Sequence, residues 1–213
     1  MNILLLAITA VCAYFLGGIN GAIIVSQRLF HKDIRNYGSG NAGLTNFCRT
    51  FGTNWAALVV VLDVLKSAAA VLLGAALMSI VGYPMLGKLF AGFCLIMGNS
   101  YPVFYNFRGG KGVMCAAVMI FLADWRIGII CMLAYLLVML FTRDGSLASI
   151  VGVSLSPFLT WMFGHGGIAG LLVLFCALLV VLRHTANIIR LVEHKEPKMR
   201  LGKNPARKLD EDF

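Results

Sequence analysis

The first 27 residues of the chain contain no charged side chain, and the first charge is Arg28. About 20 apolar residues in a helix are enough to cross the hydrocarbon core of a bilayer. Because hydrocarbon offers no hydrogen-bond partners, such a stretch satisfies its backbone N–H and C=O groups within a helix. The stretch also lacks the positively charged start of a secretory signal, so we predict that it remains in the protein as a first membrane span.

Six more apolar segments follow, which predicts an all-α polytopic membrane protein with seven transmembrane helices. At 60% hydrophobic and 13% charged residues, the composition excludes a soluble domain of this size. Trp55, Trp125 and Trp161 fall near segment ends, where amphipathic rings prefer the headgroup level. The predicted spans are 3–27, 54–80, 85–106, 112–123, 127–142, 145–163 and 166–182.

Basic residues set the predicted orientation. If all seven segments cross, fifteen of the 18 Lys and Arg residues lie on one side, which the positive-inside rule makes the cytoplasm. The N-terminus is then outside and the C-terminus cytoplasmic. We predict a membrane domain over residues 1–192 and a basic cytoplasmic tail with little fixed structure over 193–213. The net charge of +9 reflects this topology and suits anionic lipids, so nucleic-acid binding is not expected.

The shortest predicted span is 112–123. Its 12 residues reach only about 18 Å as a helix, against a hydrocarbon core of about 30 Å. A re-entrant half-span would place the basic tail outside, against the charge rule, so we predict a thinned or tilted crossing. The six cysteines show no CxxC pair and no histidine at metal-ligand spacing. We interpret them as core residues and expect neither a metal nor a cofactor.

A first polar motif, residues 35–52, lies between the first two spans. Its letters GSGNAG, from Gly38 to Gly43, match the dinucleotide fingerprint, but no strand precedes them and no βαβ unit surrounds them. Glycines can still turn successive N–H groups toward an anion. A polar loop that merely caps two spans is the alternative. The motif would add further donors: Ser39, Asn41, Thr45, Asn46 and Arg49.

A second motif, GNSYPVFYNFRGGKG over 98–112, ends in Gly109, Gly110 and Lys111 before its last glycine. It lacks the early Gly and the Ser or Thr after Lys that mark an NTPase phosphate loop. At the mouth of a short helix, such a turn still combines unpaired N–H donors, the positive helix end and an ammonium. The alternative is a positively charged cytoplasmic loop, which explains the cations but not the glycines.

A third motif, RHTANIIRL over 183–191, lies where the seventh span leaves the membrane. On a continuous helix, Arg183, Asn187 and Arg190 would share a face. We interpret Arg190 as an anchor at the membrane interface. For the pair of His184 and Asn187, we favour a functional role.

Two polar features lie inside predicted spans. Charges are costly in a bilayer, so Asp63 and Lys66 should pair with each other or face an internal cavity. A structural ion pair is at least as good an interpretation as a catalytic role. Ser146 and Ser149 lie at the start of span six. Their hydroxyl groups could simply donate hydrogen bonds to carbonyls of their own helix instead of having a functional role. The cytosolic loops show no Ser-His-Asp set and no pair of carboxylates, but their cations, amides and glycines suit phosphates.

Taken in order, GSGNAGLTNFCRTFG, GNSYPVFYNFRGGKG and RHTANIIRL closely resemble the motifs of the bacterial acyl-phosphate:glycerol-3-phosphate acyltransferases, the PlsY family. The resemblance extends from Gly17 to Pro197 and includes DVLK of span two and SLAS of span six. It implies seven spans in the bacterial inner membrane and an active site on the cytoplasmic side. It also implies transfer of a fatty acyl group from acyl phosphate to the 1-hydroxyl of sn-glycerol 3-phosphate, giving lysophosphatidic acid and phosphate, the first step of phospholipid synthesis.

By motif position, the resemblance implies catalytic roles for Ser39, Arg49, Lys111 and His184. The substrate-binding residues that it implies are Gly38, Gly40, Asn41, Thr45, Asn46, Gly109, Gly110, Ser146, Arg183 and Asn187. Acyl phosphate is already activated, so no covalent intermediate is required. Either His184 or a substrate phosphate oxygen could take the proton, and we favour the phosphate with His184 orienting it. Membrane lipids and a soluble enzyme that supplies acyl phosphate are further expected partners.

The chain departs from the family at two positions: the family usually has His where this chain has Asn99, and Thr near Cys115. Asn cannot titrate near neutral pH, so a mechanism with that His as the base would not apply here. The alternatives are a membrane acyltransferase that uses acyl-CoA and a transporter of phosphorylated solutes. Transporters usually show internal repeats and midplane binding, whereas these three motifs differ from one another and lie at one face.

Overall fold

The structure, a computed structural model, describes residues 2–198. Regular structure in that part of the chain is entirely helical, which confirms the all-α prediction for the described residues. Two short 3₁₀ turns, Ile34–Asn36 and Val103–Tyr105, lie in loops. The helices are α1 (Ile3–Gly18), α2 (Gly21–Phe30), α3 (Leu44–Phe51), α4 (Ala56–Ser79), α5 (Pro84–Ser100), α6 (Val113–Ala123), α7 (Trp125–Thr142), α8 (Gly145–Met162), α9 (Ile168–Leu182) and α10 (Thr185–Val192).

Each of the seven predicted apolar segments contains a helix. Within the described residues, four spans are long and apolar enough to cross a membrane, and α9 with α10 makes a fifth if that bent pair is one span. The helix α6 has only 11 residues and is about 16 Å long. The seven crossings and the opposite placement of the termini therefore stay predictions. The four spans are Ile3–Phe30, Ala56–Ser79, Trp125–Thr142 and Gly145–Met162.

The first predicted span is not one continuous helix. Between α1 and α2, the backbone of Ile19 and Asn20 is extended. The Asn20 side chain accepts a hydrogen bond from the N–H of Ile23 at 3.0 Å and so caps α2. Its amide nitrogen donates to the Ala42 carbonyl, also at 3.0 Å, which ties the break to the first polar motif.

Close packing places this break against α5. A β-carbon on Gly17 would lie 2.2 Å from the Leu95 carbonyl oxygen, so only glycine allows the two backbones to approach this closely. The helix α5 also packs on α4, while α8 packs on both α7 and α9. On the outer surface, Leu140 and Phe141 of α7 are 72% and 81% exposed. Such apolar exposure suits contact with lipid.

Candidate active site

One cavity of about 320 Å³ joins the three sequence motifs. Its polar end is lined by Ser39, Asn41, Thr45, Asn46, Arg49, Lys111, Ser146, His184 and Asn187. It continues between α6, α7 and α8 as a channel whose lining includes Met114, Ala117, Phe121, Met132, Tyr135 and Val153. The cavity therefore combines a polar end, which carries the two cations Arg49 and Lys111, with an apolar channel.

The first polar motif is held in place by Asn46. Its buried side-chain nitrogen donates to the carbonyls of Tyr37 and Asn41, both at 3.0 Å. Its side-chain oxygen accepts from the N–H of Ser39 at 2.9 Å. The sequence predicts Asn46 as a donor to substrate, but its N–H groups are already used within the loop. Its observed contacts fix the loop from which Ser39 and Asn41 face the cavity.

The glycines of the second motif lie against the end of α5. The N–H of Gly109 donates to the Ser100 carbonyl at 3.3 Å, and that of Gly110 donates to the Asn99 carbonyl at 2.9 Å. The prediction that these N–H groups are unpaired is therefore wrong. A β-carbon on Gly109 would lie 2.1 Å from the Asn99 oxygen, and one on Gly110 would lie 2.7 Å from the Ala42 oxygen. Glycine is required here for close approach between the first two motifs.

Lys111 connects the second motif to the third. Its Nζ donates to the side-chain oxygen of Asn187, and the Asn187 nitrogen donates to Ser146 Oγ at 2.7 Å. Arg183 instead braces the glycine loop, since its Nε and Nη2 donate to the Gly110 carbonyl at 3.4 and 3.3 Å.

The third motif is not a continuous helix. The axes of α9 and α10 are bent by 59°. At the bend, the N–H of His184 donates to the Val181 carbonyl at 2.9 Å, and its Nδ1 lies 2.8 Å from the Val180 carbonyl. These contacts replace the regular hydrogen bonds of an uninterrupted helix. The prediction of a continuous helix is therefore wrong, although Arg183 and Asn187 still contact neighbouring residues of one loop, Gly110 and Lys111.

His184 presents a neutral imidazole to the cavity. A carbonyl oxygen only accepts, so Nδ1 carries the proton in the bond to Val180 and Nε2 keeps a free lone pair. Burial lowers the pKa of His184 to about 4, and the nearby Lys111 ammonium contributes to the same shift. At pH 7 this side chain is therefore a hydrogen-bond acceptor and not a cation.

Lys111 lies in a cationic region. Burial lowers its pKa to about 8, a shift that Glu196 opposes and that Arg190, Arg49 and Arg183 reinforce. The Arg49 Nε is buried and has no hydrogen-bond partner within the described residues. A bound anion would both accept from this N–H and offset the repulsion among the cations.

Glu196 belongs to none of the three sequence motifs and enters this region from the predicted tail. Its side chain is 1% exposed and accepts from Arg190 Nε at 2.7 Å, Asn187 Nδ2 at 2.7 Å and Ser146 Oγ at 2.8 Å. Burial alone would raise the pKa of Glu196, but these hydrogen bonds lower it below its usual value. The prediction of little fixed structure is therefore wrong at Glu196, although residues 193–198 form no helix or strand, and 199–213 lie outside the described residues.

Nine of the fourteen site residues predicted from the sequence line the cavity. The other five do not line it and support its loops: Gly38, Gly40, Gly109, Gly110 and Arg183. Gly38 and Gly40 have φ of 58° and 70°, values that glycine adopts without strain. Asn99 and Cys115, at or near which the resemblance implies a departure from the family, also line the cavity.

Residues 7–194 match the protein family described as glycerol-3-phosphate acyltransferase. Proteins named glycerol-3-phosphate acyltransferase from Thermoanaerobacter sp. (strain X514) and Clostridioides difficile (strain 630) are each 38% identical to this chain. The first alignment covers 90% of this chain and 94% of the relative, and the second covers 93% and 98%.

Two solved structures share the fold. The crystal structure of PlsY (YgiH), an integral membrane glycerol 3-phosphate acyltransferase, in its glycerol 3-phosphate form has a TM-score of 0.83 and 28% sequence identity over 98% of both chains. The lysophosphatidic acid form of PlsY has a TM-score of 0.79 and 28% identity, over 92% of this chain and 95% of that one.

Proposed function

The chain belongs to the PlsY family of glycerol-3-phosphate acyltransferases, and from this premise we propose that it transfers a fatty acyl group from acyl phosphate to the 1-hydroxyl of sn-glycerol 3-phosphate. The products would be lysophosphatidic acid and inorganic phosphate. The observation that carries the proposal is the single cavity that joins a cationic end to an apolar channel. Both substrates carry a phosphate, and one of them also carries a long hydrocarbon chain.

The cationic end supports binding of two phosphates side by side. Arg49 and Lys111 would offset the repulsion between the two anions, which is needed before the hydroxyl can approach the acyl carbon. A phosphate beside Lys111 would raise its pKa from about 8 and hold the ammonium protonated. We assign glycerol 3-phosphate to Ser39, Arg49, Lys111 and Asn187.

The acyl chain would occupy the channel between α6, α7 and α8. Lys111 lines the cavity two residues before α6 begins, so an acyl phosphate bound beside Lys111 would have its acyl carbon near the channel mouth. Apolar lining such as Ala117, Met132 and Val153 excludes water from the chain, which stabilises binding by roughly 0.8 kcal/mol for each buried methylene group.

The chemical step needs no covalent enzyme intermediate. The substrate hydroxyl oxygen attacks the acyl carbon, and the bond from that carbon to the phosphate oxygen breaks. The hydroxyl proton passes to a phosphate oxygen, and inorganic phosphate leaves. With a pKa of about 4, His184 is a weak base at neutral pH, which supports the phosphate as proton acceptor. We assign His184 to orienting glycerol 3-phosphate through Nε2.

The positive-inside rule supports a cytoplasmic position for this site in a bacterial inner membrane. Arg49, Lys111 and Arg190 all belong to the side on which the basic residues collect if seven segments cross. The water-soluble substrate would enter from the cytoplasm, while acyl phosphate would enter from the bilayer.

Purified protein in lipid, supplied with glycerol 3-phosphate and palmitoyl phosphate, tests the proposal. We expect lysophosphatidic acid and phosphate to appear in equal amounts, and palmitoyl-CoA to give no product in a parallel reaction. A Lys111→Met variant controls for spontaneous hydrolysis of the donor. Activity only with palmitoyl-CoA would contradict the assigned donor, and activity with neither donor would contradict the proposed function.

A further inference from the structure

A second polar cluster lies among the helices at the wall of the cavity. Two of its members, Asp63 and Asn99, line the cavity, but none of its members is among the site residues assigned above. At its centre, Lys66 of α4 is 5% exposed. The Lys66 Nζ donates to the Ile19 carbonyl at 2.6 Å and to the Asn99 side-chain oxygen at 2.9 Å. It also lies 2.8 Å from an oxygen of Asp63. The Gly17 carbonyl lies farther from Nζ, at 3.4 Å, so the three protons of the ammonium are shared mainly among the three closer acceptors.

Two of these acceptors connect Lys66 to the break between α1 and α2. The Ile19 carbonyl precedes the start of α2, and Asp63 accepts from the N–H of Gly21, the first residue of α2, at 3.2 Å. Lys66 and Asp63 therefore satisfy a carbonyl and an amide that the interrupted helix leaves without regular partners. The pair holds the break, and α2 leads from the break into the first polar motif.

The third acceptor connects the cluster to the substrate loop. The side-chain oxygen of Asn99 accepts from Lys66, while its backbone oxygen accepts from the N–H of Gly110 at 2.9 Å. Gly110 directly precedes Lys111 in the chain. The path from the buried ammonium to the loop that carries Lys111 therefore runs through one residue.

We propose that Lys66, paired with Asp63, is a positioning residue for acyl transfer: through Asn99 it fixes the Gly109–Gly110 loop and the approach of Lys111 to the phosphates. This inference rests on the proposed function. Lys66 is not among the residues that line the cavity, so it acts through Asn99 and not by contact with substrate. A purely structural ion pair would affect the stability of the protein but not the kinetic constants of the folded enzyme.

Asn99 suits this role because an amide oxygen accepts a hydrogen bond at every pH. A histidine at position 99 could accept from Lys66 only through an unprotonated ring nitrogen, and its protonation would place a second cation beside the ammonium. The charged and titratable groups near position 99 are Asp63 and Lys66 of α4, Lys111 of the loop, Cys115 of α6 and Tyr14 of α1.

The first test compares Lys66→Met and Asn99→Leu with a matched control, Lys88→Met. The Lys88 ammonium also bonds a backbone carbonyl, that of Leu122 at 2.6 Å, but Lys88 does not line the cavity. Assays run below the unfolding midpoint of each variant. We expect kcat/KM for palmitoyl phosphate and for glycerol 3-phosphate to fall at least tenfold in the two test variants and less than twofold in the control. Parental constants in folded Lys66→Met or Asn99→Leu would overturn the inference.

The second test is the pH profile of Asn99→His, which does not depend on how well the other variants fold. We expect kcat/KM of this variant to fall about tenfold for each pH unit below the pKa of its imidazole. The pH profile of the parent protein should show no such acidic limb. A profile identical to that of the parent would overturn the inference.

Calorimetric binding of glycerol 3-phosphate separates the two proposals. If the parent protein is active and the kinetic constants of Lys66→Met and Asn99→Leu equal those of the parent, only the positioning role is overturned. If the parent protein binds glycerol 3-phosphate but does not transfer the acyl group, the proposed function is contradicted. In that case, binding of glycerol 3-phosphate that is at least tenfold weaker in Lys66→Met would still support the positioning role. Equal binding by the parent and Lys66→Met would overturn it. A parent that neither binds nor transfers would overturn both.

Discussion

At the scale of single residues, burial lowers the pKa of two neighbouring bases, His184 and Lys111, but leaves them in different charge states at pH 7. It lowers the pKa of His184 to about 4 and that of Lys111 to about 8. His184 is therefore neutral throughout the physiological range and serves as an acceptor. Lys111 remains mostly protonated at pH 7, so a moderate rise in pH removes a charge that the proposed function requires.

The alkaline limb of the pH profile tests this difference. We expect kcat/KM for glycerol 3-phosphate to fall as pH rises through about 8, because Lys111 of the free enzyme then loses its proton. The limb in kcat should lie at higher pH, since a bound phosphate raises the pKa of Lys111. In Lys111→Arg, whose guanidinium does not titrate in this range, the limb should be absent. An unchanged limb in that variant would assign the ionisation to another group.

Glu196 allows a second prediction at this scale. Glu196→Leu removes the buried acceptor of Arg190 and of Ser146 and one of the two acceptors of the Asn187 nitrogen, and we expect it to lower the free energy of unfolding by about 3–5 kcal/mol. Thermal unfolding in detergent measures the loss. The control Glu193→Gln removes an exposed carboxylate that pairs with Lys195 at 3.1 Å, and it should cost less than about 1 kcal/mol.

The opposite result for Glu196 has a definite meaning. Its carboxylate lies 3.9 Å from Arg49 and is bonded to Asn187, both of which we assign to glycerol 3-phosphate. Unchanged stability together with tighter binding of glycerol 3-phosphate in Glu196→Leu would show that the carboxylate competes with the phosphate. Our account instead expects the carboxylate to support the site by holding Arg190 and Asn187.

At the scale of helices, the hydropathy pattern located the helix in every predicted span because apolar length is a local property of the sequence. It missed the breaks after Gly18 and before Thr185, since both lie within sequence that would continue a helix. Each break depends on a contact of its own: Lys66 with the Ile19 carbonyl, and His184 with the Val180 carbonyl. A hydropathy window cannot contain the first contact, which joins residues 47 positions apart.

The motifs predicted most of the residues that line the cavity. They did not predict the hydrogen-bond partner of each residue. Whether the N–H groups of Gly109 and Gly110 are free depends on the end of α5 beside them. Glu196 left only a weak signal, an acid followed by Pro197 in a basic tail. Pro197 favours an extended backbone at Glu196, so the sequence indicates that no helix continues through Glu196. It does not indicate that Glu196 is buried, because that burial arises from tertiary contacts.

The helix α6 provides a prediction about acyl chains. Ala117→Phe would place a ring in the channel, and we expect it to lower kcat/KM for palmitoyl phosphate by roughly 5- to 150-fold, the kinetic equivalent of an overpacking cost of about 1–3 kcal/mol. A shorter donor such as octanoyl phosphate should lose less. The matched control is Val118→Phe, on the same helix but not on the cavity lining. Equal losses for both donors, or for both variants, would contradict a channel that holds the chain.

At the scale of the whole molecule, seven crossings require the two termini to lie on opposite sides of the membrane. We expect a fluorescent protein fused after Phe213 to fold in the cytoplasm, and alkaline phosphatase fused at that position to be inactive. An alkaline phosphatase fused before Asn2 behind its own export signal should be active. Termini on the same side would show an even number of crossings, most simply because the 11 residues of α6 do not span the membrane.

The central claim is that one cavity holds both substrates while the acyl group passes directly from phosphate to glycerol 3-phosphate. Rapid-quench measurement of phosphate release from palmitoyl phosphate, with and without glycerol 3-phosphate, tests it most directly. We expect no fast phosphate release without glycerol 3-phosphate, and release that matches lysophosphatidic acid mole for mole once glycerol 3-phosphate is present. A burst of phosphate equal to the enzyme concentration before the acceptor is added would reveal an acyl-enzyme intermediate and contradict direct transfer.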